Sequence, residues 1–168
     1  MKSERWGLCA FLLLSTIWAA SLGGQVSGRS PGDVYQKWLD EDVVYIITSE
    51  ERAQYLRLTN NKDRDQFIVQ FWLRRDPTPG TPENEFKEEH YRRIAFANIH
   101  FADSVAGWRT DRGRIYILNG PPEETEMLSP SLSTGPIHAT QTWHYKDGRR
   151  FRFTDACDCG EYHLDLKP

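Results

Sequence analysis

Apolar positions keep a helical period along this chain up to Gly107 and an alternating one after it, so the pattern predicts helices first and strands second. Pro31 stands where a helix can open, and Val34, Tyr35, Trp38 and Leu39 continue at helical spacing to about Asp40. Val43-Val44-Tyr45-Ile46-Ile47 is a short apolar run that reads either as a buried strand or as an extended connection. Thr48 and Glu51 have capping-box spacing, which predicts a helix through Tyr55 and Leu58 that Asn60-Asn61 breaks. Phe67, Ile68, Phe71 and Trp72 form one apolar stripe bounded by Asp63, Asp65 and Gln66, a second helix. Pro77, Pro79, Gly80 and Pro82 stop it. From Glu83 the stripe Phe86, His90, Ile94, Ala97, Phe101 and Val105 predicts one long helix, with Gly107 at its end.

After Gly107 the spacing changes. Arg114, Tyr116 and Leu118 alternate with Ile115, Ile117 and Asn119, which predicts a strand halted by Gly120-Pro121-Pro122. Met127 to Ile137 has no period and reads as a loop. Thr142–Tyr145 and Arg150–Phe153 flank Asp147-Gly148, a β-hairpin signal, and Tyr162–Leu166 is a last short strand. The expected fold is therefore α+β, with N-terminal helices packed on a small C-terminal antiparallel sheet of about four strands. The aromatic faces of the two main helices are expected to cover one face of that sheet.

The N-terminus carries a different pattern. Lys2 and Arg5 precede an almost unbroken apolar run, Trp6 to Leu22, followed by Gly23 and Gly24: the order of a secretory signal. Residues 1–24 are read as that signal, 25–32 as a polar tether and 33–168 as one domain. The apolar run is at the lower limit of a bilayer span, so an anchor formed by residues 6–22 is the alternative. Export places the domain in the periplasm or outside the cell.

The chain has 168 residues, a length for one domain, and 27% charged residues, ordinary for a globular one. Losing Lys2, Arg5 and Glu4 with the signal takes the formal net charge from −3 to −4. A mildly acidic domain with no basic run argues against nucleic acid as a partner. Cys157 and Cys159 remain after the signal. Export permits a bridge, yet a C-x-C loop would be strained and cross-links little of the chain. Two thiols or an intermolecular bridge stay open.

Gly107-Trp108-Arg109-Thr110-Asp111 and the residues through Pro122 resemble the bacterial GWxTD domain, named for that pentapeptide. Phe71-Trp72, the run from Arg75 to Thr81, Asn84-Glu85-Phe86, Tyr91-Arg92-Arg93 and Ala97-Asn98 are similar to the upstream pattern of that family. Trp143, the Gly148 hairpin and Phe151 to Asp155 fit its C-terminal sheet. The resemblance covers roughly residues 33 to 168. It implies an exported or envelope-associated protein and leaves the activity unassigned. Asp155-Ala156-Cys157-Asp158-Cys159-Gly160 departs from the pattern.

Two polar groups are candidate sites. In the pentapeptide, turn chemistry accounts for Gly107, Thr110, Asp111 and Gly113, while the functional reading has Arg109, Asp111, Arg112 and Arg114 lining a recess beside Trp108. In the linker, Arg75, Asp76, Thr78, Thr81, Asn84 and Glu85 crowd a helix-to-helix connection, with Arg92 and Arg93 two turns on. An Arg-Asp pair there can grip a carboxylate, a sugar or a peptide end. The competing reading is a capping and salt-bridge network, with Thr81 as cap and Asn84 at its third position.

Asp155, Cys157, Asp158, Cys159 and His163 are metal-ligand types, with His144 across the hairpin, but zinc sites want wider thiol spacing; no metal and no cofactor are expected. His90 lies on an apolar stripe, where a core histidine is the ordinary explanation. No nucleophile elbow, phosphate loop or S-x-x-K motif is present. The expected function is a protein- or peptide-binding or structural module of the cell envelope, through the 75–85 linker, Arg92, Arg93 and the 109–114 turn. The alternative is an enzyme or glycan-binding domain acting on envelope polymer, with Asp76, Glu85 and Asp111 as acid/base groups and Trp143, Tyr145 and Tyr162 available to stack on sugars.

Overall fold

A computed structural model describes residues 31–130 and 137–165. The N-terminal apolar run and most of the tether lie outside them. Among the described residues no helix is long and apolar enough to cross a membrane. Over this range the architecture is α+β, five α-helices followed by a four-stranded antiparallel sheet.

Helix α1 (Pro31–Lys37) continues into a π-type turn, Trp38–Asp42, which buries Trp38 and Leu39. Val43 to Ile47 form neither a strand nor an extended connection. Both the Ile46 and Ile47 amides donate to the Val43 carbonyl at 2.9 Å, closing a tight turn whose Val43 side chain is fully buried. Helix α2 (Ser49–Leu56) opens with the expected capping box: Thr48 Oγ1 accepts from the Glu51 amide, and Glu51 Oε2 accepts from the Thr48 amide. Asn60 does more than break the chain, because its side chain caps helix α3 (Asn61–Leu73) by accepting from the Asp63 amide at 2.9 Å.

Helix α4 (Glu85–His100) starts from Asn84, whose Oδ1 accepts from the Lys87 amide at 2.8 Å. Thr81, the expected cap, instead donates to the carbonyls of Thr78 and Glu83 within the linker. The helix is also shorter than its stripe. It stops at His100, and Asp103 accepts from the Val105 amide in a local turn that leads the backbone back toward α4. A 3₁₀ turn (Gly107–Arg109) and helix α5 (Asp111–Asn119) follow.

Helix α5 replaces the expected strand over residues 114–119. A short run of alternating apolar residues is ambiguous. Here Thr110 caps the segment and both Ile115 and Ile117 are buried, because the helix is packed between α4 and the sheet. The leading strand is instead β1 (Glu124–Leu128), which takes in Met127 and Leu128 from the start of the expected loop; residues 131–136 of that loop lie outside the described range. Strands β2 (Ala139–His144) and β3 (Arg150–Asp155) form the expected hairpin, with Gly148 at φ 82°, and β4 (His163–Leu164) completes a β1-β2-β3-β4 meander.

Among the described residues two apolar clusters hold the fold. The first gathers Trp38, Leu39, Val43, Tyr55, Phe71 and Trp72. The second gathers Ala97, Phe101, Ile115, Ile117, Trp143 and Phe153. Helix α4 serves both, with Tyr91 packed on the first and Ile94, Phe96 and Ala97 on the second. The aromatic stripe of α3 therefore builds a helical core. It is the end of α4, together with α5, that covers the sheet: Phe101, just past α4, and Tyr116 of α5 meet Trp143 of β2 at 5.4 and 6.3 Å, and Phe96 of α4 stacks on Tyr116 at 4.4 Å.

Candidate functional site

The pentapeptide is a joint between α4, α5 and β4. Gly107 lies so close to α4 that a Cβ would sit 1.9 Å from the Ala97 carbonyl oxygen. A Cβ on Gly113 would lie 1.8 Å from the Gly107 carbonyl oxygen, so both glycines are required by backbone-to-backbone contact. Thr110 Oγ1 accepts from the Gly113 amide at 3.0 Å and donates to the Gly107 carbonyl at 2.8 Å. Asp111 divides its oxygens. Oδ1 accepts from Arg114 at 2.9 Å, and Oδ2 accepts from the Leu164 amide at 2.9 Å, tying α5 to β4.

Trp108 is fastened at its backbone, donating to Asn98 Oδ1 and accepting from the Tyr45 hydroxyl, both at 3.0 Å. Its ring packs on Tyr45, and the exposed Arg109 guanidinium lies over it at 4.7 Å. Arg112 is half-buried over the Tyr162 ring at 4.3 Å, and burial lowers its pKa below the ordinary guanidinium value. Of the pentapeptide, only the residue at its variable position is exposed.

The linker residues are placed on several different partners. Arg75 turns away from Asp76 and back into the fold. It donates to both oxygens of Glu51, at 3.0 and 2.6 Å, and to the carbonyls of Phe71 and Ile46, with its guanidinium 3.7 Å from the Phe71 ring centroid. Burial on its own would raise the Glu51 pKa. Hydrogen bonds from Arg75, the Thr48 amide and Arg74 outweigh that and bring it down to about 2.

Asp76 accepts from the Thr78 amide within the linker, and Asn84 Nδ2 donates to the Trp72 carbonyl, fixing the end of α3 against the start of α4. Arg92 and Arg93 share Glu89; Arg92 is exposed, whereas Arg93 also donates to the Ile117 carbonyl. Among the described residues no hydrogen bond or ion pair joins the 75–85 linker to the 109–114 turn.

What the structure opens between these groups is an apolar groove of about 360 Å³. Ile46 and Pro77 form one wall, Phe86, Glu89, His90 and Arg93 of α4 the floor and rim, and Ile117 and Leu118 of α5 the other wall. Glu85 stands at its edge. Phe86 and Leu118 remain 37% and 44% exposed, which leaves apolar surface at the mouth. His90 is buried, its Nε2 2.6 Å from the Asp42 carbonyl oxygen, and burial lowers its pKa below the ordinary imidazole value. The groove takes up Glu85 and Arg93 of the expected surface. Ile46, Ile117 and Leu118 carry no signal of it in sequence, because their neighbours are brought to them across the fold. A second hollow, of about 480 Å³, lies between α1, α3 and Tyr91.

Asp155, Cys157 and Cys159 bring ligand-type atoms within 4.8 Å of one another, while the two cysteines form an intramolecular disulfide. No curated protein and no solved structure shows significant similarity to the chain. The family model of the GWxTD domain matches residues 25–156, most of the chain and all five α-helices. The joint built from Gly107, Trp108, Thr110 and Asp111 is thus the signature of the group to which this chain belongs, the GWxTD domain family.

Proposed function

We propose that this chain is an exported, non-catalytic module of the cell envelope that binds a protein or peptide partner through the groove between the 75–85 linker, α4 and α5. The observation that carries the reading is that groove, with apolar walls, partly exposed Phe86 and Leu118 at its mouth and the carboxylate of Glu85 on its edge. It fits an extended segment that inserts one apolar side chain and sets a lysine or arginine beside Glu85. The placement of two of the three acid/base candidates also favours binding over hydrolysis. Asp76 is engaged in a turn, and Asp111 is tied to Arg114 and Leu164. Export is supported by the charged, apolar and small-residue order of residues 1–24.

A peptide library panned on the full chain tests the recognition. Sequences with an apolar residue next to a basic one should be enriched, and their binding should weaken at least about tenfold in Glu85→Lys and Leu118→Glu, proteins whose melting temperatures should stay near wild type. Both substitutions alter exposed side chains. Undiminished binding in both variants would mean that the groove is not the contact surface. For export, N-terminal sequencing of the protein recovered from the envelope should begin near residue 24.

A further inference from the structure

The turn between β3 and β4 carries chemistry that the groove does not use. Cys157 and Cys159 are bonded to each other there, both exposed, with Cα atoms 5.2 Å apart. The family match ends at residue 156, so the pair lies just beyond it. As a structural staple the bridge is weak, because the benefit of a cross-link grows with the loop it closes and these cysteines are separated by 2 positions. The turn is held by other means. Asp155, itself buried, accepts from the Cys159 amide at 3.1 Å and from the Gly160 amide at 2.8 Å, and Arg112 donates to the Gly160 carbonyl at 3.4 Å. None of these ties involves sulfur, so the turn keeps its anchors when the bridge opens. Asp155 Oδ1 also lies 3.3 Å from Cys157 Sγ, where it can accept a hydrogen bond from a thiol and none from a disulfide. That contact favours the reduced pair.

From this arrangement we infer that Cys157–Cys159 is a thiol–disulfide exchange site that passes its disulfide to a dithiol substrate. A substrate thiolate attacks Cys157 Sγ, the intramolecular S–S bond breaks, and the electron pair leaves on Cys159 Sγ, because a thiolate on Cys157 would face the Asp155 carboxylate. Protonation from solvent converts the Cys159 thiolate to a thiol. The second thiolate of the substrate then attacks the substrate sulfur of the mixed disulfide and releases Cys157, whose thiol, once protonated by solvent, donates to Asp155 Oδ1. Two electrons and two protons pass from the dithiol to the pair, and the substrate leaves as a disulfide.

The full chain carrying Cys9→Ser, so that only this pair reacts, is mixed with a synthetic dithiol peptide. The expected result is oxidation of one peptide per protein, appearance of both protein thiols and an unchanged circular dichroism spectrum. Further substitution to Cys157→Ser, which keeps Cys159, should give a thiol that reacts with an aromatic disulfide reagent about tenfold faster than Cys159→Ser does. Equal rates overturn the assignment of Cys159 as the leaving sulfur. A bridge that opens only as the domain unfolds overturns the inference, and so does a reduced, folded protein that leaves the peptide unoxidised. Should the serine variants fold poorly, the Cys9→Ser protein is reduced, one half is alkylated, and both halves are passed through the same reoxidation before the peptide is offered again; only the unblocked half should oxidise it, and equal oxidation by both overturns the inference.

Discussion

A clash between a Cβ and a backbone carbonyl cannot be relieved by turning a side chain, so an alanine at Gly107 has to displace either α4 or the pentapeptide. Gly107→Ala should cost about 3 kcal/mol or more by chemical denaturation, in the range of severe overpacking. A loss below about 1 kcal/mol would show that the joint yields easily, against the rigidity assigned to it here. Glu51 makes a second prediction at this scale. Its pKa falls from an ordinary 4.5 to about 2 on folding, so its contribution is fully present above the unfolded value and fades as pH drops from there toward the folded one. After allowance for solvent screening, that contribution is about 1–2 kcal/mol. Stability of the wild type should fall with acidification between pH 5 and 2 by that much more than stability of Glu51→Gln; parallel curves for the two proteins would remove Glu51 from the account.

At the level of elements, helix ends were more legible than helix identities. The Thr48–Glu51 box and the Asp147-Gly148 hairpin act through neighbours a few residues away, and both stand as expected. The segment 111–119 shows the opposite case. Its apolar alternation suits a strand, but a Thr110 cap and burial on both sides, against α4 and against the sheet, stabilise a helix. Thr110→Ala removes the cap and one tie to Gly107. It should lower stability by about 0.5–2 kcal/mol and selectively speed amide exchange in the first turn of α5. Uniform exchange across the domain would place the effect elsewhere. Helix α4 ends before its stripe does because Phe101 turns into the sheet core and Asp103 captures the Val105 amide, an outcome that a periodicity count cannot register.

For the whole molecule, the feature with the widest consequence is a single helix shared by two cores. Phe71 in the first and Phe153 in the second are fully buried, and each truncation to alanine should cost about 3–5 kcal/mol. Because α4 contributes to both clusters, the two should unfold together, and either substitution should lower amide protection along the whole of α4 by a similar free energy. If Phe71→Ala leaves the segment around Ala97 as protected as in wild type, the clusters are independent units. The groove belongs to the same scale. It exists because the first cluster, α4 and α5 meet beside the linker, and neither half of the chain contains it alone.

By itself the sequence determined the order of helices before strands, the family, the Thr48–Glu51 cap and the Asp147-Gly148 turn, and the polar linker as a place of dense interaction, since each of these rests on local periodicity or on contacts within one or two turns. Tertiary structure decided which polar residues stay free. Arg75 is drawn inward by Glu51, 24 positions away, and Asp111 by the backbone of Leu164, 53 positions away. Pairing over such distances depends on how α4 joins the two cores, and that geometry is settled by packing of side chains whose identities, read one after another, do not specify their partners.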